Sequence, residues 1–532
     1  MHKLSSLKLY RLIGLVLVLS MLAPTASAQQ TVRSYLLLGK SDKLPNNLQQ
    51  AVAERGGSIA YTVPEIGLAV LLSANPDFSA QMETLAEVES VAPDIQVNYD
   101  LPGFQPQGLP QPSGHPLDFA AYQWNLDAID APEAWATGAR GAGVRIAILD
   151  DGMDPSHVDL APNLNVGLSK SFVPGDSNPF AAPGFPSHSS HVAGIAAAAD
   201  NGIGIIGVAP QAEIVGVRVL TWLPDASSPL GYVAEGKFAW IAAGIVYAAN
   251  IDSDVISISL GGWLDKDGFC DGETCYSKKD AKELKKLLDR ATRYAYKQGA
   301  VVIAAAGNDA TDTDHNGKNY FLPAESDKVL AVSATGPSGW ILDPTADLDT
   351  FAPYSNYGKK LVDFAAPGGN PSYALQDPAC IYPLLGFPIP CYYFDLVIGP
   401  TISPFLPWTW ASGTSAAAPH VAGVAALIIG QNGGEMKPKD VEKALKEGAD
   451  DLGKKGADAY FGEGRVNAAA SLAWLARKSK EKEMEGEEIE AEEIEGEAVT
   501  STDSVAVPCD NTDLACPEVG KNVIFLSLLS NR

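Results

Sequence analysis

The sequence predicts an α/β protein, a parallel sheet with helices on both faces, preceded by a smaller ferredoxin-like α+β unit. Two patterns carry that expectation. Between residues 119 and 477, short apolar segments such as Val144–Leu149 alternate with helical stretches, the order of a parallel sheet covered on both sides. Ahead of it, residues 31–100 read strand, helix, strand, strand, helix, strand. With 46% hydrophobic residues among 532, the chain has enough apolar surface to bury such a core.

In chain order, Met1–Ala28 begins with Lys3, Lys8 and Arg11, continues through the apolar run Leu12–Leu22 and ends on Ala26-Ser27-Ala28. This is the composition of a secretory signal cleaved after Ala28, so the expected location is extracellular, with no membrane contact after cleavage. In the first unit, 29–101, strands are expected at Ser34–Leu38, Ile59–Thr62, Leu68–Leu72 and Val88–Val97, with helices at Leu44–Glu54 and Phe78–Leu85. A linker rich in Pro and Gly follows at 102–118. In the main unit, 119–477, strands are expected at Val144–Leu149, Glu213–Leu220, Val255–Leu260, Ala300–Ala305 and Val329–Ala334. Helices are expected at His191–Ala199, Gly236–Ala249 and Asp280–Gln298. Residues 481–497 hold ten Glu and one Lys, so 478–498 reads as a solvated acidic linker before a C-terminal segment, 499–532.

Charge and cysteines narrow the function. With 38 basic against 64 acidic side chains the net charge is −26, which argues against nucleic acid and against docking on an anionic membrane. The six cysteines fall into close pairs, Cys270 with Cys275, Cys380 with Cys391, and Cys509 with Cys516. An even count in an exported chain suggests disulfides, and nearest-neighbour pairing is the simplest of fifteen connectivities. None of the pairs has the C-x₂-C spacing or the His support of a zinc site.

Four segments carry candidate chemistry. An apolar strand ends in Asp150-Asp151-Gly152, the end of a strand where open α/β sheets place ligands. His188-Ser189-Ser190-His191 precedes a run of very small residues; one His can face the chemistry while the other packs, and the zincin pattern is absent. Ser412-Gly413-Thr414-Ser415 opens a helix, where a backbone N–H near the positive dipole end can hold an oxyanion. Ala304–Asn308 ends in an Asn after a Gly, able to aim a side-chain N–H at developing negative charge.

Taken together, these motifs resemble those of the subtilisin-like serine peptidases. Asp150 matches the family's aspartate motif, with Asp151 where Ser or Thr is commoner. His188 matches the histidine motif, with Ser189-Ser190 in its middle. Ser415 matches the Gly-Thr-Ser motif, followed by Ala416 instead of Met, and Asn308 matches the oxyanion asparagine. The order Asp, His, Ser is the subtilisin order. Intervals of 38 and 227 residues are long for the family and imply loop insertions, Trp263–Lys278 and Gly369–Trp410.

The resemblance implies a subtilisin-like serine endopeptidase acting on peptide or protein substrates, with no cofactor for catalysis. Asp150, His188 and Ser415 would be the triad. Ser259, Leu260, Gly261 and Gly262 would pair with substrate backbone and line the main specificity pocket. Residues 305–309 would form the opposite wall, with Asp309 at the mouth favouring a basic side chain. A structural Ca²⁺ would use Asp159 and Asn201. Residues 29–101 would be a propeptide, inhibitor and folding chaperone, released by self-cleavage within 99–118.

Overall fold

The computed structural model of the chain describes residues 31–99, 118–181, 187–225, 232–271, 274–384, 386–402, 407–481 and 484. The expected signal segment and most of both linkers lie outside them. So do Cys509 and Cys516, whose expected pairing therefore has no counterpart among the described residues. Residues up to Ala476 form one compact unit, and a second begins at Arg477.

The N-terminal part is an antiparallel sheet of β1 (Arg33–Gly39), β2 (Gly57–Val63), β3 (Leu68–Ser73) and β4 (Val88–Pro93), in the order β2-β3-β1-β4. Helices Leu48–Glu54 and Phe78–Glu83 cover one face through Leu37, Val52, Leu71, Phe78 and Met82. The opposite side of the same strands, Leu36, Leu38 and Val70, joins the core of the main domain. Burial on both faces explains why β1 reads as an unbroken apolar run rather than an alternating one. The expected strand Val88–Val97 is two strands. The chain leaves the sheet after Pro93, and β5 (Gln96–Tyr99) pairs elsewhere.

The main sheet contains β6 (Arg145–Asp150), β7 (Lys170–Ser171), β8 (Glu213–Arg218), β11 (Val255–Ile258), β15 (Val301–Ala305), β17 (Val329–Thr335) and β18 (Phe364–Pro367). Its order is β18-β17-β15-β11-β6-β8-β7, and every pairing is parallel. Helices Phe238–Asn250 and Lys278–Gln298 bury their apolar stripes in one core cluster; helices His188–Ala197 and Thr414–Gln431 bury theirs in another. A smaller antiparallel sheet, order β5-β10-β9, joins β9 (Leu220–Pro224) and β10 (Tyr232–Lys237) to β5 of the N-terminal part. The helix expected from Gly236 therefore starts two residues later. Gly236 is a poor helix former, and its segment finds ladder partners on both sides.

Both insertions are folded. The first forms β12 (Gly262–Asp265), which pairs with β16 (Asn319–Leu322), and a hairpin of β13 (Gly268–Asp271) and β14 (Thr274–Ser277). Cys270 is disulfide-bonded and lies opposite Cys275 in the hairpin register. In the second, Cys380 bonds Cys391, and Tyr393, Phe394, Trp408 and Trp410 pack with Phe119 and Ile205 in an apolar cluster of their own.

Candidate active site

The site gathers where strands end and helices begin. Asp150 is the last residue of β6 and is fully buried. Its Oδ1 accepts the Asp151 N–H at 2.8 Å, which orients the carboxylate, and its Oδ2 lies 2.8 Å from His188 Nδ1. His188 is the first residue of its helix. Ser187 caps that helix by accepting the Ser190 N–H at 3.0 Å.

Asp151 adds a second carboxylate beneath the helix start. Its Oδ2 accepts the His188 N–H at 3.2 Å and its Oδ1 the Ser189 N–H at 2.8 Å. The Trp222 indole N–H donates to Oδ2 at 2.9 Å. Burial and then the neighbouring Asp150 push Asp151 well above the usual carboxylate range. At His188, burial opposes the imidazolium, but the Asp150 carboxylate, its hydrogen bond and Asp151 outweigh burial and hold the ring above its ordinary pKa.

Ser415 sits in the first turn of the helix Thr414–Gln431, almost entirely buried. Its carbonyl accepts the Ser259 Oγ–H at 2.8 Å, tying the end of β11 to the serine. This helix and the His188 helix pack together, and both bury short side chains in one cluster, Val192, Ala193, Ala196 and Ala197 from one and Ala417, Ala418, Val421 and Ala422 from the other. A methyl added to Gly423 would come within 3.1 Å of the Ala196 carbonyl oxygen on the other helix, so the approach leaves little room for larger side chains.

Asn308 follows β15. Its Oδ1 accepts both the Thr414 N–H at 2.8 Å and the Thr414 Oγ–H at 3.0 Å, and Thr414 Oγ accepts the Gly307 N–H at 3.0 Å. With the oxygen held, the amide nitrogen is the end left to donate. Asp309 lies one residue further. Its N–H donates to Asn356 Oδ1 at 3.0 Å and its Oδ2 accepts from Asn356 Nδ2 at 3.1 Å. Leu260 is buried, and Gly261 and Gly262 are half-buried.

Two further histidines, His191 and His420, are structural. His191 Nε2 donates to Val397 O at 3.1 Å, and burial, then charge on His188, push it down to about 3. His420 bridges Ala416 O and Asn125, and burial pushes it down to about 4. Among the described residues no group of three or more His, Cys, Asp or Glu is placed to hold a metal.

The expected calcium ligands, Asp159 and Asn201, each hold other partners. Asp159 Oδ2 accepts the Trp408 indole N–H at 2.6 Å and the Ile205 N–H at 3.2 Å, and Asn201 Oδ1 accepts the Ile203 N–H at 3.0 Å. Two N–H donors thus point at Asp159 Oδ2 and a third at the Asn201 amide oxygen, while the buried Asp159 Oδ1 accepts no hydrogen bond among the described residues; a hard cation would take about six oxygens. Burial leaves Asp159 at about 6, despite the bonds from Trp408 and Ile205.

Some site residues escaped the sequence. Thr414 lies inside a recognised motif, yet nothing in the motif says that it clamps Asn308. Trp222, Asn356 and Trp408 reach the site from remote segments, without a local signal.

Comparison with known proteins agrees with the geometry. Residues 141–464 match the model of the subtilase family. Thermitase from Thermoactinomyces vulgaris is 34% identical over 357 residues, covering 67% of this chain and 98% of thermitase. Subtilisin E from Bacillus subtilis (strain 168) is 32% identical over 348 residues, 65% of this chain and 70% of that protein. Among solved structures, the epidermin leader peptide processing serine protease from Staphylococcus aureus superposes with a TM-score of 0.64 at 22% identity, over 84% of this chain and 98% of that one.

Proposed function

The chain belongs to the subtilase family and is a subtilisin-like serine endopeptidase; from that premise we propose that Asp150, His188 and Ser415 are its triad and Asn308 its oxyanion donor. We propose further that it is exported as a precursor and matures by cutting itself. The observation that carries the triad is the buried bond of Asp150 Oδ2 to His188 Nδ1 at 2.8 Å.

Each group has one task. A serine hydroxyl is a weak nucleophile at neutral pH and needs a base. His188 takes the Ser415 proton as Oγ attacks the substrate carbonyl, then returns it to the leaving amine. Asp150 holds the tautomer with Nδ1–H inward and stabilises the imidazolium. Asn308 Nδ2 and the Ser415 N–H stabilise the oxyanion. Water then resolves the acyl-enzyme by the same steps in reverse order.

The precursor reading draws on the N-terminal part. Its last strand, β5, lies antiparallel on β10, as an extended peptide would on an open sheet edge. Its body docks through acids onto bases of the helix Lys278–Gln298. Arg290, only 6% exposed, donates to Gly39 O at 3.0 Å and Ile66 O at 3.1 Å and pairs with Asp42 and Glu89. Lys286 pairs with Glu89 at 2.8 Å. This fits an inhibitory propeptide covering residues 29–101. The small residues at 26–28 support export.

The test is intact mass of the exported protein with and without a fluorophosphonate. One adduct, absent in Ser415→Ala, on a chain beginning between 99 and 118, is the expected result. An unlabelled chain beginning at Gln29 counts against both activity and self-processing.

A further inference from the structure

This inference rests on the endopeptidase reading and concerns which peptide bonds are cut. Residues 259–262 follow β11, and residues 305–309 begin at the last residue of β15 and continue beyond it. These strands are hydrogen-bonded neighbours in the parallel sheet, so the two segments leave its C-terminal edge side by side. Both are tied to the serine, one through Ser259 Oγ to Ser415 O and the other through Gly307 and Asn308 to Thr414. Each carries a glycine where it faces the other, Gly261 and Gly307. The family resemblance places the side chain next to the scissile bond between these two segments.

In this chain the space between these segments is already occupied. A methyl added to Gly261 would meet Phe321 Cε1 at 2.4 Å and Cζ at 2.6 Å. One added to Gly307 would meet Phe321 Cζ at 2.5 Å and Cε1 at 2.9 Å. The same edge of one ring therefore lies against both walls. The ring is held there. Phe321 is on β16, opposite Trp263 of β12, with the rings edge to face at 4.9 Å. It is 4% exposed, so no open depth remains around it. On the same side of Gly307, Asn356 Nδ2 stands 2.2 Å from that added methyl and donates to Ala306 O at 3.0 Å, which stiffens that wall.

We propose that Phe321 floors the primary specificity pocket and restricts the residue before the scissile bond to small side chains, Gly, Ala or Ser. A long basic side chain directed at Asp309 would have to run past this ring, so the basic preference expected from Asp309 is the competing outcome.

The experiment is kcat/KM on peptides that differ only at that residue, Ala, Ser, Leu, Phe or Lys. One methylene in a pocket already discriminates by about 10–200-fold. Ala and Ser are expected to exceed Phe and Lys by on the order of 10²-fold. Phe321→Gly is expected to raise Leu and Phe by about tenfold or more while Ala changes little; Phe321→Leu, closer in volume, serves if the glycine variant does not fold. Self-cleavage within 99–118 is expected after Gly103, Gly108, Ser113 or Gly114. A protein that takes up a fluorophosphonate yet cuts after Phe or Lys as readily as after Ala, or matures by cutting after Tyr99 or Phe104, overturns the closed pocket alone. One that neither labels nor cuts any peptide overturns the endopeptidase reading beneath it.

Discussion

Asp151 grips His188 by its main chain and not by its ring, accepting the His188 N–H at 3.2 Å while Asp150 takes Nδ1. Two adjacent carboxylates thus serve one histidine, one setting its tautomer and the other its helix.

That pairing predicts a pH profile. His188 works as a base only when neutral, and its pKa is raised, so kcat/KM should rise with pH through a value above the ordinary 6.5. Asp151→Asn removes one of the charges that favour the imidazolium. Its acidic limb should move to lower pH, measured on any cleaved peptide. An unmoved limb with lowered kcat would mean that Asp151 acts through helix packing alone.

Asn308 and Thr414 form the second test. Asn308→Leu should lower kcat by about 10²–10³-fold with little change in KM, because the amide is needed only as charge develops on the substrate. Thr414→Val removes one of the two bonds that aim Asn308 and should lower kcat less, with Thr414→Ser restoring it.

Arg290 anchors the N-terminal part with four acceptors at a buried position. Truncating one member of a buried, hydrogen-bonded charge pair costs roughly 2–5 kcal/mol, so Arg290→Ala should weaken inhibition by the cleaved N-terminal part by on the order of 10²-fold. The inhibition constant, measured by diluting the processed mixture, checks this.

Asp159 and Trp408 form a further test. Trp408→Phe should cost about 1–3 kcal/mol by stripping a buried oxygen of its donor. The folded pKa, about 6, lies above that of an unfolded aspartate, about 3.9. The neutral form is therefore the one burial favours. Its contribution is full below the unfolded value and is lost as pH rises through about 6. Asp159→Asn should consequently gain stability over the wild type above pH 6, in thermal melts taken across that range.

The legible parts of the sequence were those with short-range causes. β6 and β15 read as strands because a buried parallel strand has to be apolar on both faces, and the motif residues Asp150, His188, Asn308 and Ser415 sit at ends of elements that the pattern marks. The helix expected from Gly236 starts at Phe238 because Gly236 takes its partners from β5 and β9, 139 and 16 residues away at the register positions Val97 and Leu220. The surroundings of Asp159 escaped the sequence for a related reason. Asp159 and Asn201 have suitable side chains, but Trp408, 249 residues from Asp159, supplies the donor that decides what Asp159 holds. Phe321 escaped similarly, since nothing in its own segment tells that its ring ends between Gly261 and Gly307.

The ladder of β5 on β10 bears on how the finished enzyme can be stored. With the proposed release of residues 96–99, β10 keeps β9 on one side and bares a row of backbone donors and acceptors on the other. Such a rim templates any extended chain, including another copy of the enzyme. Concentrated mature protein should therefore be prone to clumping and mutual digestion, and a short peptide occupying that rim should prolong its shelf life.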